Sequence, residues 1–286
     1  MSRTRGEEKL RALLAGGRLA TAPGVADVLS ARIAAQAGHD ALYLGGNAMA
    51  LGLGKGQPFL TLTETVEMTA KVARSVDRPL VVDAGAGFGN LAHLHGAVRE
   101  LEGAGAAAIH IDDQPYPKRA AYHRGQGELV STEAMAARIR TACAARSDML
   151  IFARSDALRV SGSMEESIAR CRAYAEAGAD GLILLDLDPE RAGLVRAAVP
   201  QLPLIWIGGV VPPIPGVAEL EEAGFALALY PFNGVAAVTA ALTELWRGLK
   251  TTGRIGQSDA LLGQARKETL EIVDMQSFWA IEENEE

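Results

Sequence analysis

The sequence predicts an α/β chain folded as a single (β/α)8 barrel of the TIM type. Three observations carry this. Eight short apolar, β-favouring runs recur along the 286 residues. Segments of helical periodicity separate them, and one glycine-centred phrase returns before every second strand. The 49% hydrophobic content suffices for a large core and excludes a disordered chain.

The runs are Leu19–Val25, Ala41–Gly46, Pro79–Gly85, Ala107–Asp113, Leu150–Asp156, Gly181–Asp186, Leu202–Gly208 and Ala226–Pro231. Several read as continuous hydrophobics, such as residues 79–82 and 181–185, as strands of a parallel sheet buried on both faces require. Among the connecting segments, Ser131 is placed to cap a helix that carries Ala134, Ala137, Ile139 and Ala142. The repeated phrase is Gln36-Ala37-Gly38-His39-Asp40, then Gly103-Ala104-Gly105, Glu176-Ala177-Gly178 and Glu222-Ala223-Gly224. Each glycine is predicted to end a helix in a left-handed turn before the chain enters a strand. Eight such units favour a closed barrel over an open doubly wound sheet. No Gly-x-Gly-x-x-Gly follows the first strand, which weakens a dinucleotide site. A helix over Gly6–Ala15 is expected to plug the barrel floor. A tail from about Ser258 carries Phe278 and Trp279, which need a place to be buried. No inter-domain linker is visible, so residues 1–286 read as one domain with a helical extension.

The net charge is −7, from 28 Lys+Arg against 35 Asp+Glu, with no basic block, which argues against a nucleic-acid partner. No apolar run is long enough to span a bilayer, and the polar start Met1–Glu8 resembles no secretory leader. Cys143 and Cys171 form neither a metal motif nor a disulfide framework, and are expected to be inert core residues. A cytoplasmic enzyme is the expectation.

In such barrels chemistry sits at the C-terminal strand ends. Those ends supply Gly45 and Gly46, Asp83, Asp112 and Asp113, Arg154 and Asp156, Asp186, and Gly208 and Gly209. Carboxylates ending strands three and four face a cation on strand five. That suits a hard divalent metal, with an anionic substrate between metal and arginine. The loop after strand four, Asp113–Gly125, is long, cationic and stiffened by Pro115 and Pro117, as a lid would be. In it Lys118, Arg119 and Arg124 are candidates to grip carboxylates, and Tyr122 and His123 to move protons. A subunit-contact role for the loop stays open. His93 and His95 are expected to cap a helix or face solvent, His39 to lie in a surface turn, and His110 to be a core histidine.

The ordered motifs Tyr43-Leu44-Gly45-Gly46, residues 82–89, His110-Ile111-Asp112-Asp113-Gln114, Lys118-Arg119, residues 153–156 and residues 228–231 are similar to those of the isocitrate lyase/phosphoenolpyruvate mutase superfamily. The methylisocitrate lyase-like branch resembles them most, from about residue 8 to 280. The resemblance implies a tetrameric (or dimeric) barrel with its last helix, here about 255–286, packing on a neighbouring subunit. It also implies Mg2+ (alternatively Mn2+) chemistry on small 2-oxo or 2-hydroxy acids through a metal-stabilised enolate. Carried over, Asp83 is the direct metal ligand and Asp112 acts through water. Arg154 binds substrate, Lys118 gates, and Tyr43, Gly45, Gly46 and Arg119 complete the substrate shell.

The chain departs from that pattern at telling places. Gly85 replaces a second acid, Gly45 a serine, and Lys55 and Gln57 stand where an acid is usual. Ala120 stands in place of the proton-donating cysteine, and Leu185 and Ile207 replace polar residues. The readings left open are a carbon–carbon lyase with Tyr122 or His123 as proton donor, an oxaloacetate decarboxylase/hydrolase or phosphonopyruvate-type enzyme, and a non-catalytic metabolite-binding barrel with a decayed metal site.

Overall fold

The computed structural model describes residues 5–124 and 127–284. Eight parallel strands form one sheet: β1 (Ala20–Pro23), β2 (Leu42–Leu44), β3 (Leu80–Asp83), β4 (Ala108–Asp112), β5 (Leu150–Ser155), β6 (Gly181–Leu184), β7 (Leu204–Ile207) and β8 (Leu227–Tyr230). Their order, β1-β8-β7-β6-β5-β4-β3-β2, leaves β1 and β2 as the last pair. The Ala41 N–H donates to the Thr21 carbonyl (3.2 Å) and the Val25 N–H to the Tyr43 carbonyl (2.9 Å), which closes the barrel. Each of the eight sequence runs contains its strand, trimmed by at most two residues at either end.

Strand alternation sorts side chains into two apolar layers. Leu42, Leu44, Leu80, Val82, Ile109, Ile111 and Ile151 face the surrounding helices. Tyr43, Val81, Phe152, Ile183, Ile205 and Leu227 fill the barrel interior. Both faces are dry, which is why the strands read as unbroken hydrophobics. Leu10, on the helix Gly6–Ala15, is fully buried in the interior layer beside Leu13 and Leu14, so this helix does plug the floor.

Six of the helices between strands begin at side-chain caps. Ser131 accepts from the Ala134 N–H, as expected, and Asp27, Thr61, Asn90, Ser163 and Asp188 act in the same way. The helices that precede β2, β4, β6 and β8 stop at the four repeated glycines, Gly38, Gly105, Gly178 and Gly224, with φ of +89°, +98°, +100° and +82°. A side chain is strained at such φ, so the sequence device and the turn are one feature. The barrel ends at Gly234; from Val235 a second unit contains the remainder of the helix Asn233–Thr252 and the helices Asp259–Ile272 and Met275–Glu283. Among the described residues no helix is long and apolar enough to cross a membrane.

Candidate active site

The interior parity of β3, β4 and β5 delivers a polar top to an apolar barrel. Asp83 ends β3, His110 and Asp112 alternate on β4, and Arg154 pairs in register with Asp112 across β5. Asp83 is only 4% exposed, yet its carboxylate is fully engaged. Oδ2 accepts from the Gly46 N–H (3.0 Å) and the Gln57 amide (3.1 Å), and Oδ1 from the Gly85 N–H (2.8 Å). A Cβ on residue 46 would lie 2.9 Å from Asp83 Oδ2, so glycine is required for this approach. His110 bridges the set: Nε2 lies 2.9 Å from the Tyr43 hydroxyl and Nδ1 3.2 Å from Asp112 Oδ1.

Asp112 is the electrostatic centre. Burial by itself would raise its carboxyl, but Arg154, the Lys118 ammonium hydrogen-bonded to Oδ2, and His110 together hold it far below the usual carboxylate range. Arg154 Nε is 3.7 Å from Asp112 Oδ1 and donates to Asp156 Oδ1 at 2.8 Å, while Nη2 reaches Asp156 Oδ2 at 3.2 Å. Burial opposes this guanidinium's charge, but Asp112 and Asp156 keep it firmly protonated.

The Tyr122 hydroxyl donates to Asp156 Oδ2 at 2.5 Å and lies 3.5 Å from both Arg154 Nη2 and Arg159 Nη1. Burial first, then the Asp156 charge, pushes its phenol well above the ordinary tyrosine value, so it keeps its proton at neutral pH. Beneath it, Asp113 anchors β5 and the helix Met164–Glu176 through Ser155, the Asp156 N–H, Tyr174 and Arg170. Burial pushes the Asp113 carboxyl up.

Among the described residues, Asp83, His110 and Asp112 bring ligand atoms within 4.8 Å of one another. Both histidine nitrogens are used by their partners, whereas each carboxylate oxygen has a second lone pair, so the oxygens of Asp83 and Asp112 are the natural donors. Two carboxylates suit a hard divalent cation, and the residues present fit one.

The family model for phosphoenolpyruvate phosphomutase matches residues 10–250, nearly the whole barrel and the first residues of the C-terminal unit. The chain belongs to the phosphoenolpyruvate mutase/isocitrate lyase superfamily. A 2,3-dimethylmalate lyase from Eubacterium barkeri is 34% identical over 249 residues, 85% of each chain. A 2-methylisocitrate lyase from Aeropyrum pernix is 38% identical over 226 residues, 78% of this chain and 72% of its own. A phosphonopyruvate hydrolase solved with oxalate and Mg2+ is 28% identical, with a TM-score of 0.86 over 98% of both chains. The chain is accordingly an enzyme of a lyase family, one whose members include hydrolases and a protein solved with Mg2+ bound.

Within this superfamily barrel, Tyr43, Gly45, Gly46, Asp83, Tyr122 and Arg154 all line one cleft at the strand ends. Lys118 lines a smaller pocket beside it, which shares Gly46, Gln57 and Asp83 with the cleft, and pairs there with Asp112. Gly46 directs its N–H to Asp83, so its backbone holds that carboxylate. Arg119 is not brought in: its guanidinium pairs with Glu128 and is 57% exposed. The His123 side chain lies outside the described residues, as does Gly125.

The core-histidine expectation for His110 is half right. The ring is fully buried, but inside the polar group, and its parity with Asp112 on β4 was the available signal. Gln57 and Asp156 also join the site, through Asp83 and Arg154. Gly85, at φ +54°, leaves its side-chain position to the Lys118 stem, whose Cε would lie 3.3 Å from a Cβ there. Thus Lys118 crowds the place where relatives are expected to carry the second acid. His93 is exposed beside Asn90, as expected. Cys171 is buried, whereas Cys143 is only half-buried, its thiol against the Gly178 carbonyl at 3.1 Å.

Proposed function

We propose that this enzyme is a Mg2+-dependent carbon–carbon lyase acting on a small 2-hydroxy or 2-oxo carboxylic acid through an enolate. One observation carries the reading: the Asp83–His110–Asp112 group faces Lys118 and Arg154, and the Tyr122 hydroxyl stands over the same cleft. Asp83 and Asp112 would hold the cation, which when bound supplies Lewis-acid charge beside the substrate's 2-oxygen. Arg154 binds the acid's carboxylate. Its own two carboxylate partners fix the guanidinium plane, so little reorientation is needed when substrate arrives.

Cleavage breaks the bond between the carbinol carbon and its neighbour. The carbinol hydroxyl gives its proton to water at the open mouth of the cleft and becomes a carbonyl, and the bonding electron pair stays on the neighbouring carbon as an enolate. Lys118 and Arg154 face that charge. Tyr122, held protonated by burial and Asp156, delivers a proton to the enolate carbon; His123, the next residue, is the alternative donor. Ala120 has no proton to give, so a donor further along the loop is required.

The test begins with thermal unfolding in oxalate, a mimic of the pyruvate enolate, with and without Mg2+. A shift that requires both supports the reading, and no shift at generous concentrations removes it. Product analysis on a screen of 2-hydroxy and 2-oxo acids then separates cleavage from oxaloacetate decarboxylation or phosphorus–carbon cleavage.

We also propose that the C-terminal unit packs on a neighbouring subunit. Trp246, Phe278 and Trp279 are 55%, 56% and 43% exposed in the single chain, an unusual load of bare aromatic surface. Truncation after Gly253 should lower the mass measured by light scattering to that of a smaller assembly. An unchanged oligomer would remove this proposal.

A further inference from the structure

We propose, on the reading that a 2-oxo acid head group sits between Asp83 and Arg154 and keeps the enolate, that the rest of the substrate, beyond the carbinol carbon, is an uncharged, apolar chain and not a second carboxylate. The cleft has a volume of 670 Å3, far more than a two- or three-carbon head group fills, and its two sides differ in chemistry. The side built from the ends of β2, β3 and β5 carries Tyr43, Gln57, Asp83 and Arg154. The sheet order places β6 and β7 across the mouth from β2 and β3. There the lining residues are Leu185, Trp206, Ile207, Val211 and Ile214.

This apolar side is preformed. Leu185 and Ile207 are 9% and 7% exposed, held by the barrel yet open to the cleft. The Trp206 indole lies over Gly208, where a Cβ would come within 2.4 Å of the ring, and packs edge-on against Tyr230 at 5.3 Å. Val211 and Ile214, on the loop after β7, are 76% and 45% exposed, apolar surface that a substrate chain would cover.

The charges on this side point the same way. Besides Arg154, the cation among the described residues lining the cleft is Arg159, and Asp186 grips it in a fork, Nε to Oδ2 and Nη2 to Oδ1, both 2.6 Å. Asp188, paired with Arg191 at 2.6 Å, and Glu219 are the other acidic side chains there. A second substrate carboxylate would therefore meet two cations already matched by their own acids, and the further acid Glu219. Burying it without a partner is costly, whereas an alkyl chain loses nothing by entering.

The experiment is isothermal titration calorimetry of the full chain with Mg2+ and three ligands: oxalate, 4-methyl-2-oxopentanoate and 2-oxoglutarate. The last two share the head group and differ in the tail. The branched alkyl acid should bind at least tenfold more tightly than 2-oxoglutarate, about 1.4 kcal/mol. Ile207→Asn should shrink that preference several-fold and leave the oxalate affinity within about twofold of the parent. Oxalate binding together with equal or tighter binding of 2-oxoglutarate overturns the tail assignment alone. Failure of oxalate to bind with Mg2+ overturns the head-group reading and this inference with it. Should Ile207→Asn not fold, the affinity ratio in the parent chain decides.

Discussion

Asp83→Asn separates the structural and the cation-binding work of one carboxylate. The substitution preserves shape and removes charge. Asp83 accepts three hydrogen bonds, two on Oδ2 and one on Oδ1, so an asparagine can keep its oxygen towards Gly46 and Gln57 and turn its amide towards the Gly85 N–H. That leaves two donors facing each other in a buried place, worth about 1–3 kcal/mol of stability. For a chain of this size the melting temperature should fall by a few degrees, at roughly 2–4 °C per kcal/mol. The second effect is on linkage. In the parent, oxalate with Mg2+ at about 100 times its Kd should stabilise the native state by ~2.7 kcal/mol, again a shift of several degrees. In Asp83→Asn that shift should vanish at the same concentrations, while far-ultraviolet circular dichroism stays unchanged. Differential scanning fluorimetry over a ligand series reads both effects. A variant that is destabilised as expected and still shows the Mg2+-dependent shift would refute the assignment of Asp83 to the cation.

Three further outcomes test other parts of the argument. Tyr122→Phe removes one hydroxyl and should lower kcat by about 10²–10⁴-fold with little change in KM, as loss of a general acid does; full activity there transfers the role to His123. Glu102 accepts backbone N–H groups from Ser147, Asp148 and Met149, where the chain turns into β5. Burial opposes its charge, but these three donors hold the carboxyl below the ordinary glutamate value of 4.5. Its folded value is the lower one, so its contribution is complete above pH ~4.5 and is lost as pH falls through the folded value. Glu102→Gln should therefore cost about 1 kcal/mol at pH 7 and flatten the acid limb of a stability–pH profile; an unaltered limb contradicts this. Gly105→Ala must adopt φ +98° and bring its Cβ to 2.9 Å from that of Ala73, so it should cost roughly 1–3 kcal/mol in urea unfolding, and a neutral effect would show that the turn is not strained.

The barrel was legible because its signals are local. Eight runs of apolar residues, helix caps such as Ser131, and the glycines at 38, 105, 178 and 224 each act over a few residues, and short-range sterics and burial on both faces suffice to place them. The strand-end acids and Arg154 were legible for the same reason, since the ends of parallel strands in a barrel share one mouth.

What the sequence left open depends on contacts between residues far apart in the chain. His110 read as core, because nothing in its own strand reveals the Tyr43 hydroxyl, 67 residues away, at the other nitrogen of the ring. Gln57 read as the loss of an acid, and only folding turns its amide onto Asp83, 26 residues away. Lys118 and Arg119 are neighbours with like charges, and the path of the loop alone sends one to Asp112 and the other to Glu128 at the surface. The amino-acid order by itself determines which residues become strand, stop and strand end. The tertiary structure decides which polar groups are held close enough in a dry barrel mouth to alter one another's protonation, because Coulombic and hydrogen-bonding energies fall off over a few ångströms that sequence spacing does not record.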